Sequence, residues 1–468
     1  MNKSKLLVKN TMIITLSRLS VQFVNFFLLP VYTALLSTAE YGVVDLLNTY
    51  VLLLTPIFSL QMESGVFRFL IDERKNESGK KDYISTVFVG VGLQSIVMLF
   101  FVGVLSYFFN NQYTFYLLFN ILVHVFAMVV LQISRGLGDN FTYGLGNALI
   151  SISMTILNII FVVFMRMGAD GILIGYFIAN LIGIIFIIIR KRLYRYLSFS
   201  AVNMTSYKKL LRYSIPLVPN SLSWWMINAS DRTIISSFIG IAANGIYAAA
   251  NKFSSLFISF YNIFNLAWTE SATLFIEEED NEQFFNETIN TMFKFFLSLC
   301  LGIIAVMPFV FPILINEKFN EAYNHIPILM LSTLCNVVIG LISVVYIALK
   351  LTRKVANTSI IAGIINLIVA LSLIRFVGLY AASVSTLVSF FSLMILRYID
   401  VQKYLTIKLD RKIVFSSLIM IAILLYTYYQ NNLIGNIFSL ILIVVYAVII
   451  NLNSIGMIFD MIKQKIKK

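Results

Sequence analysis

The chain has 468 residues, of which 59% are hydrophobic and only 12% charged, against about 25% charged in an ordinary soluble domain. That balance marks an integral membrane protein and excludes a water-soluble one. The formal charge of +13 does not indicate a nucleic-acid binder, because the basic residues gather at the ends of apolar runs rather than in aromatic-interleaved patches.

Apolar runs of membrane-helix length lie near 10–36, 42–70, 83–109, 113–135, 143–166, 171–190, 213–239, 244–275, 288–314, 325–349, 355–376, 379–400, 411–430 and 433–452. They predict an all-α membrane protein with about fourteen transmembrane spans. Lysines ahead of the first run imitate a signal peptide, but the run continues past Pro30 without a small-residue cleavage site, so span 1 is expected to be retained. Most of the 35 Lys and Arg residues fall at the ends and loops that share the N-terminal side, whereas the opposite side holds Arg166, Lys318 and Arg375. The positive-inside rule then makes both termini cytoplasmic. Cys300 and Cys335 sit in apolar runs, so neither a disulfide framework nor a metal cluster is expected. The acidic run Glu277–Glu278–Glu279–Asp280 reads as a solvated turn.

Internal similarity sets the architecture. AEYGVVDLLNTY from Ala39 matches AANGIYAAANKF from Ala242, and LNIIFVVFMRMGADG from Leu157 matches INLIVALSLIRFVG from Ile365, which aligns Asn158 with Asn366. Two six-helix bundles in the same orientation are predicted, at 1–195 and 213–405. A basic cytoplasmic linker at 196–212 joins them, and 406–468 supplies spans 13 and 14 with a basic tail. Prolines 30, 56, 216, 219 and 308 fall within predicted spans, where a lost backbone bond gives a kink.

Four spans carry polar stripes at the three- and four-residue steps that share one helical face. Span 1 has Thr11, Thr15, Arg18, Gln22 and Asn25; span 2 has Asp45, Asn48, Thr55, Ser59, Glu63 and Arg68. Span 7 has Ser221, Trp224, Asn228 and Asp231 with Arg232; span 8 has Asn251, Lys252, Ser255, Ser259, Asn262, Asn265 and Thr269 with Glu270. An ionised residue at a helix centre costs roughly 2.5–3.5 kcal/mol on insertion scales, so such residues face a protein interior or a wet cavity. Hydroxyls alone also cement helix packing, but a stripe with Asn, Asp and Lys points to a polar lumen. At about 1.5 Å per residue, Arg18 and Arg68 form a cationic layer toward the cytoplasm, and Arg232 and Lys252 form one in the outer half.

No phosphate-binding glycine loop, nucleophile constellation or metal-ligand set is present in the sequence, so no enzymatic chemistry and no cofactor is expected. His124 is a lone helical histidine, read as a packing residue, with proton carriage as the alternative.

LLSTAEYGVVDLLNTY, SGVFRFLIDER, SRGLGDNFTYGLGNAL and above all IPLVPNSLSWWMINASDRTIISSFIGIAANGIYAAANKF resemble the Wzx-type polysaccharide-transport family of lipid-linked oligosaccharide flippases. That family lies in the MOP superfamily with MATE multidrug exporters and lipid II flippases. The resemblance implies a bacterial cytoplasmic-membrane protein with a MATE-like fold. Its implied task is to move undecaprenyl-diphosphate-linked repeat units outward for O-antigen or capsule, by alternating access, with membrane lipid and other polysaccharide-assembly proteins as partners. On this reading Arg18, Arg68, Asp231, Arg232, Lys252, Asn25, Asn228 and Asn251 contact substrate. Glu63, Glu270 and Asp45 are the candidates for Na+ or H+ coupling. A cation-coupled small-molecule exporter stays open as the alternative.

Overall fold

A computed structural model describes the backbone of residues 26–108 and 112–466, and among these residues every regular element is helical. The chain divides into two compact units, residues 1–233 and 234–468. The first holds Leu29–Leu35 (α1), Thr38–Ser59 (α2), Met62–Asp72 (α3), Glu77–Phe108 (α4), Thr114–Gly136 (α5), Asn140–Asn158 (α6), Gly168–Lys191 (α7) and Met204–Ser214 (α8). Val218–Phe238 (α9) contains the division. The second unit continues with Ile241–Phe275 (α10), Asn281–Leu314 (α11), Ala322–Ala348 (α12), Thr352–Val377 (α13), Tyr380–Val401 (α14), Arg411–Gln430 (α15) and Leu433–Ile466 (α16).

Eleven helical segments, in α2, α4 to α7 and α11 to α16, are long and apolar enough to cross a membrane. The chain is therefore a multi-pass membrane protein. Predicted spans 2 to 14 all fall on helices, while most of span 1 lies outside the described residues. Spans 7 and 8 correspond to α9 and α10, which have the length but not the apolar composition of the eleven, because their polar faces dilute it.

Span 2 is two helices rather than one. Leu60 and Gln61 both adopt the left-handed conformation (φ 49° and 58°), which ends α2 and turns the chain into α3. Three of the prolines stand at the starts of helical elements rather than in helix interiors. Pro30 stands in the first turn of α1, Pro216 in a 3-10 turn ahead of α9, and Pro219 at the second residue of α9. A helix start needs no N–H from these positions. Pro56 and Pro308 do lie inside α2 and α11.

In the first unit, Val66, Leu70, Ile84, Val87, Val125 and Val129 form a buried core shared by α3, α4 and α5. The basic connector is structured. It makes 3-10 turns at Leu193–Arg195 and Phe199–Ala201 and then α8, whose buried Ser206, Leu210 and Ser214 recur every fourth residue. Gly65 of α3 allows α8 to approach, since a Cβ there would stand 2.4 Å from Ser214 Oγ. Asp139 caps α6 by accepting the Thr142 N–H at 2.9 Å, and Lys191 of α7 pairs with it at 3.0 Å.

In the second unit, α10 packs its apolar back on α12. Trp268 Nε1 donates to the Leu341 carbonyl at 3.1 Å, and Gly340 makes room for Tyr261. The aligned asparagines are both buried, Asn158 at the end of α6 and Asn366 inside α13, and they bond different partners. Asn158 Nδ2 donates to Tyr32 Oη at 2.7 Å, and Asn366 Nδ2 donates to Thr386 Oγ1 at 3.4 Å.

Candidate functional site: the polar faces of α9 and α10

Within the first unit, one face of α9 meets α2 and α3 through three long side chains. Ser221, Trp225 and Arg232 are four and seven residues apart, steps that hold them on one side of a helix. Gln61 Nε2 donates to Ser221 Oγ at 2.8 Å, Trp225 Nε1 donates to the Thr49 carbonyl at 3.1 Å, and Arg232 Nε donates to Asp45 Oδ2 at 2.9 Å. Residue numbers rise along α9 as they fall along α3 and α2, so the helices run antiparallel here. The Arg232–Asp45 pair is largely withdrawn from solvent, with side-chain exposures of 12% and 19%. Asp231, the preceding residue, is buried.

The break at Leu60–Gln61 organises the other polar atoms. Ser59 Oγ accepts the Gln61 N–H at 3.1 Å, and Ser64 Oγ donates to Gln61 Oε1 at 3.0 Å. Glu63, in the first turn of α3, is only 4% exposed. Its carboxyl Oε2 has no hydrogen-bond partner among the described residues. Glu63 stands at a helix N-terminus, where the helix dipole favours negative charge. Arg68 stands apart on the exposed flank of α3, bonded through Nη1 to Asp72 at 2.9 Å.

In the second unit, α10 carries the long polar stripe. Asn251, Lys252, Ser255 and Asn265 are part-buried, and Asn262 and Glu270 are exposed. Two of its hydroxyls are spent within the helix: Ser259 Oγ donates to the Ser255 carbonyl at 2.7 Å and Thr269 Oγ1 to the Asn265 carbonyl at 2.8 Å. Tyr261 Oη donates to Asn265 Oδ1 at 2.9 Å. The Ser259 and Thr269 hydroxyls and the Asn265 amide oxygen are thus already engaged within α10.

Of the residues singled out from sequence, the structure brings Asp45 and Arg232 together and sets Glu63 at the break in span 2. Arg18 and Asn25 lie outside the described residues, as does the side chain of Asn228. Sequence reasoning missed Gln61 and Trp225. Trp225 falls on the same face as Ser221 at a four-residue step, a signal that was available, whereas nothing in the residues near Gln61 announces a left-handed pair. His124 is half-buried beside Tyr176, with Nδ1 2.8 Å from Tyr176 Oη.

The profile of the family described as Polysaccharide biosynthesis protein matches residues 7–269, from the N-terminal region through most of α10. Among curated proteins, none matches the chain by sequence. Among solved structures, an inward-facing multidrug resistance MATE family transporter of the MOP superfamily aligns with a TM-score of 0.69 and 13% identity, over 83% of this chain and 97% of its own. The lipid II flippase MurJ in an inward closed conformation aligns with a TM-score of 0.68 and 16% identity, over 96% of this chain and 100% of its own. The outward-facing MATE structure aligns at 0.57 with 15% identity, over 84% and 95%. At these identities the likeness establishes a common fold.

Proposed function

The chain belongs to the polysaccharide biosynthesis protein family, and from that premise we propose that it is a flippase for undecaprenyl-diphosphate-linked oligosaccharides. It moves them from the cytoplasmic to the outer face of a bacterial cytoplasmic membrane by alternating access. The observation that carries this reading is the Arg232–Asp45 pair, set inside long membrane helices at 2.9 Å. Without substrate, Asp45 compensates the arginine charge in a region where an isolated charge is expensive. A diphosphate offers several pairs of anionic oxygens, and a guanidinium can bond such a pair bidentately, so substrate can replace Asp45 on Arg232. Lys252 and the amides of Asn251 and Asn262 on α10 supply a point charge and hydrogen bonds suited to phosphate and sugar hydroxyls. The polyprenyl chain stays in lipid. Arg18, Arg68, Asp231, Asn25 and Asn228 remain in the proposed substrate set.

Cation coupling is assigned first to Glu63, whose buried carboxylate has one oxygen without a hydrogen-bond partner. Asp45 is engaged with Arg232, and Glu270 is exposed.

The test is reconstitution in liposomes with an undecaprenyl-diphosphate oligosaccharide, following how fast inner-leaflet sugar becomes accessible to an external probe. Protein-dependent transfer that Arg232→Ala abolishes supports the assignment. Transfer that a Na+ or H+ gradient accelerates in the wild type but not in Glu63→Gln supports the coupling role. No transfer with several glycans, with or without either gradient, overturns the flippase reading in favour of a small-molecule exporter.

A further inference from the structure

A groove on the outer face of α4 lies apart from every polar stripe. Phe88, Gly92 and Ile96 follow one another at four-residue steps, with Val89 and Leu93 beside them, and together they line a cavity of about 430 Å³. Gly92 is its floor, since a Cβ built there meets no atom within 4 Å. The connector after α7 closes one end with Leu197, Ser198 and Phe199.

That rim is held in place. Ser85 Oγ donates to the Tyr196 carbonyl at 2.6 Å and accepts the Ser198 N–H at 3.0 Å. Farther along, Thr86 Oγ1 accepts the Asn203 N–H at 3.1 Å, and Asp82 accepts the Ser206 hydroxyl at 2.9 Å. The groove thus has a wall fixed to its own helix.

Rim and groove differ in chemistry. Leu197 and Phe199 are 44% and 89% exposed, an arrangement that suits the lipid side of a membrane interface. Arg192, Arg195, Lys208 and Lys209 of the connector are exposed, as is Lys81, one turn before Ser85 on α4. No acidic residue occurs between Lys191 and Ser214. Of the nearest acids, Glu77 is paired with Lys80, and Asp82 is bonded to Ser206 and Asn203. An apolar slot thus opens at an edge with an excess of unneutralised cations.

We propose that this groove binds one anionic glycerophospholipid, with an acyl chain over Gly92 and the phosphate facing Lys81 and Arg195. A volume of about 430 Å³ lies in the range of roughly 300–1,000 Å³ found for small-molecule sites, enough for a chain but not for a protein segment. Basic residues beside an apolar face recognise anionic lipid, each contributing about 1 kcal/mol. The site makes no use of the transported molecule, and its test does not depend on transport.

The protein is reconstituted in vesicles of phosphatidylglycerol and phosphatidylcholine that contain a phosphatidylglycerol with a photoactivatable acyl chain, and crosslinked peptides are mapped by mass spectrometry. We expect label enriched several-fold at 88–96 and 197–199 over the lipid-exposed residues 434–445 of α16. Gly92→Trp fills open space and abolishes that enrichment with the melting temperature unchanged. Lys81→Gln and Arg195→Gln each lower the preference for phosphatidylglycerol over a photoactivatable phosphatidylcholine by roughly fivefold. Enrichment that persists in Gly92→Trp, equal labelling by the two lipids in the wild type, or displacement of label by undecaprenyl phosphate but not by unlabelled phosphatidylglycerol would each overturn the proposal.

Discussion

Exchanging the two charges, Asp45→Arg with Arg232→Asp, separates two roles for this pair. With side-chain exposures of 12% and 19%, the pair lies between a surface ion pair, worth about 0.2–1 kcal/mol, and a buried one, where removing a single partner costs roughly 3–5 kcal/mol. We therefore expect Asp45→Asn and Arg232→Gln each to destabilise by about 2 kcal/mol, a fall of about 4–8 °C in Tm at the size of the first unit. The exchange restores most of that loss, because the same two charges meet in reverse. Transport does not recover if Arg232 also receives the diphosphate, since the cation then projects from α2 rather than α9. Both readouts come from one set of purified variants, by thermal melting in detergent and the liposome accessibility assay. An exchange that leaves Tm as low as the single variants refutes the ion-pair argument. One that restores both Tm and transport refutes the role of Arg232 in binding substrate.

Four further outcomes follow from particular contacts. Leu60 (φ 49°) carries a left-handed strain of about 1–2 kcal/mol, so Leu60→Gly should melt within a few degrees of wild type despite losing its side chain. Leu60→Ile, β-branched at a positive φ, should melt lower than Leu60→Gly. Gly340→Ala puts a methyl 2.1 Å from Tyr261 Oη and should cost about 2 kcal/mol by overpacking, with part of the loss recovered when Tyr261→Phe removes that oxygen. Arg397 is buried on α14 with its guanidinium bonded to the hydroxyls of Ser343, Thr358 and Ser359 and the Val355 carbonyl, so Arg397→Lys, which cannot span that fork, should cost about 3 kcal/mol in a denaturant titration. At Asp139, burial raises the carboxyl pKa, but the Thr142 N–H and hydroxyl together with Lys191 outweigh it, and the net shift is downward. Its stabilisation is present at neutral pH and is lost as pH falls through the depressed value. The Tm gap between wild type and Asp139→Asn, which keeps a capping side chain, should therefore close in acid, and a gap that widens there would refute the assignment.

How much of this was legible in the residues depends on whether a feature is written in hydrophobic patterning or in backbone geometry. The thirteen predicted runs from 42–70 onward all fall on helices, most of them because they are unbroken apolar stretches. The exceptional polarity of α9 and α10 was equally plain, and it keeps these two out of the eleven helices apolar enough to span a membrane unaided. The connector was harder. MTSYKKLLRYS is polar in bulk and reads as a linker, yet Ser206, Leu210 and Ser214 make a small-residue face at four-residue steps that docks against Gly65. Arg397 lies near the end of an apolar run, and hydroxyls contributed by α12 and α13, from residues 54 and 38 positions away, draw it inside.

The break in span 2 has no sequence mark at all. Glycine or proline normally announces such a point, whereas here Leu60 and Gln61 hold the left-handed conformation with one local contact, the Gln61 N–H on Ser59, and one tertiary contact, the Gln61 side chain on Ser221. Strain of this kind persists where the surroundings over-determine it, and it clusters at sites that bind or switch. The same break turns a continuous helix into one that offers a fresh N-terminus to Glu63. The residue with the strongest claim to cation coupling therefore owes its environment to two residues whose identities give no hint of it.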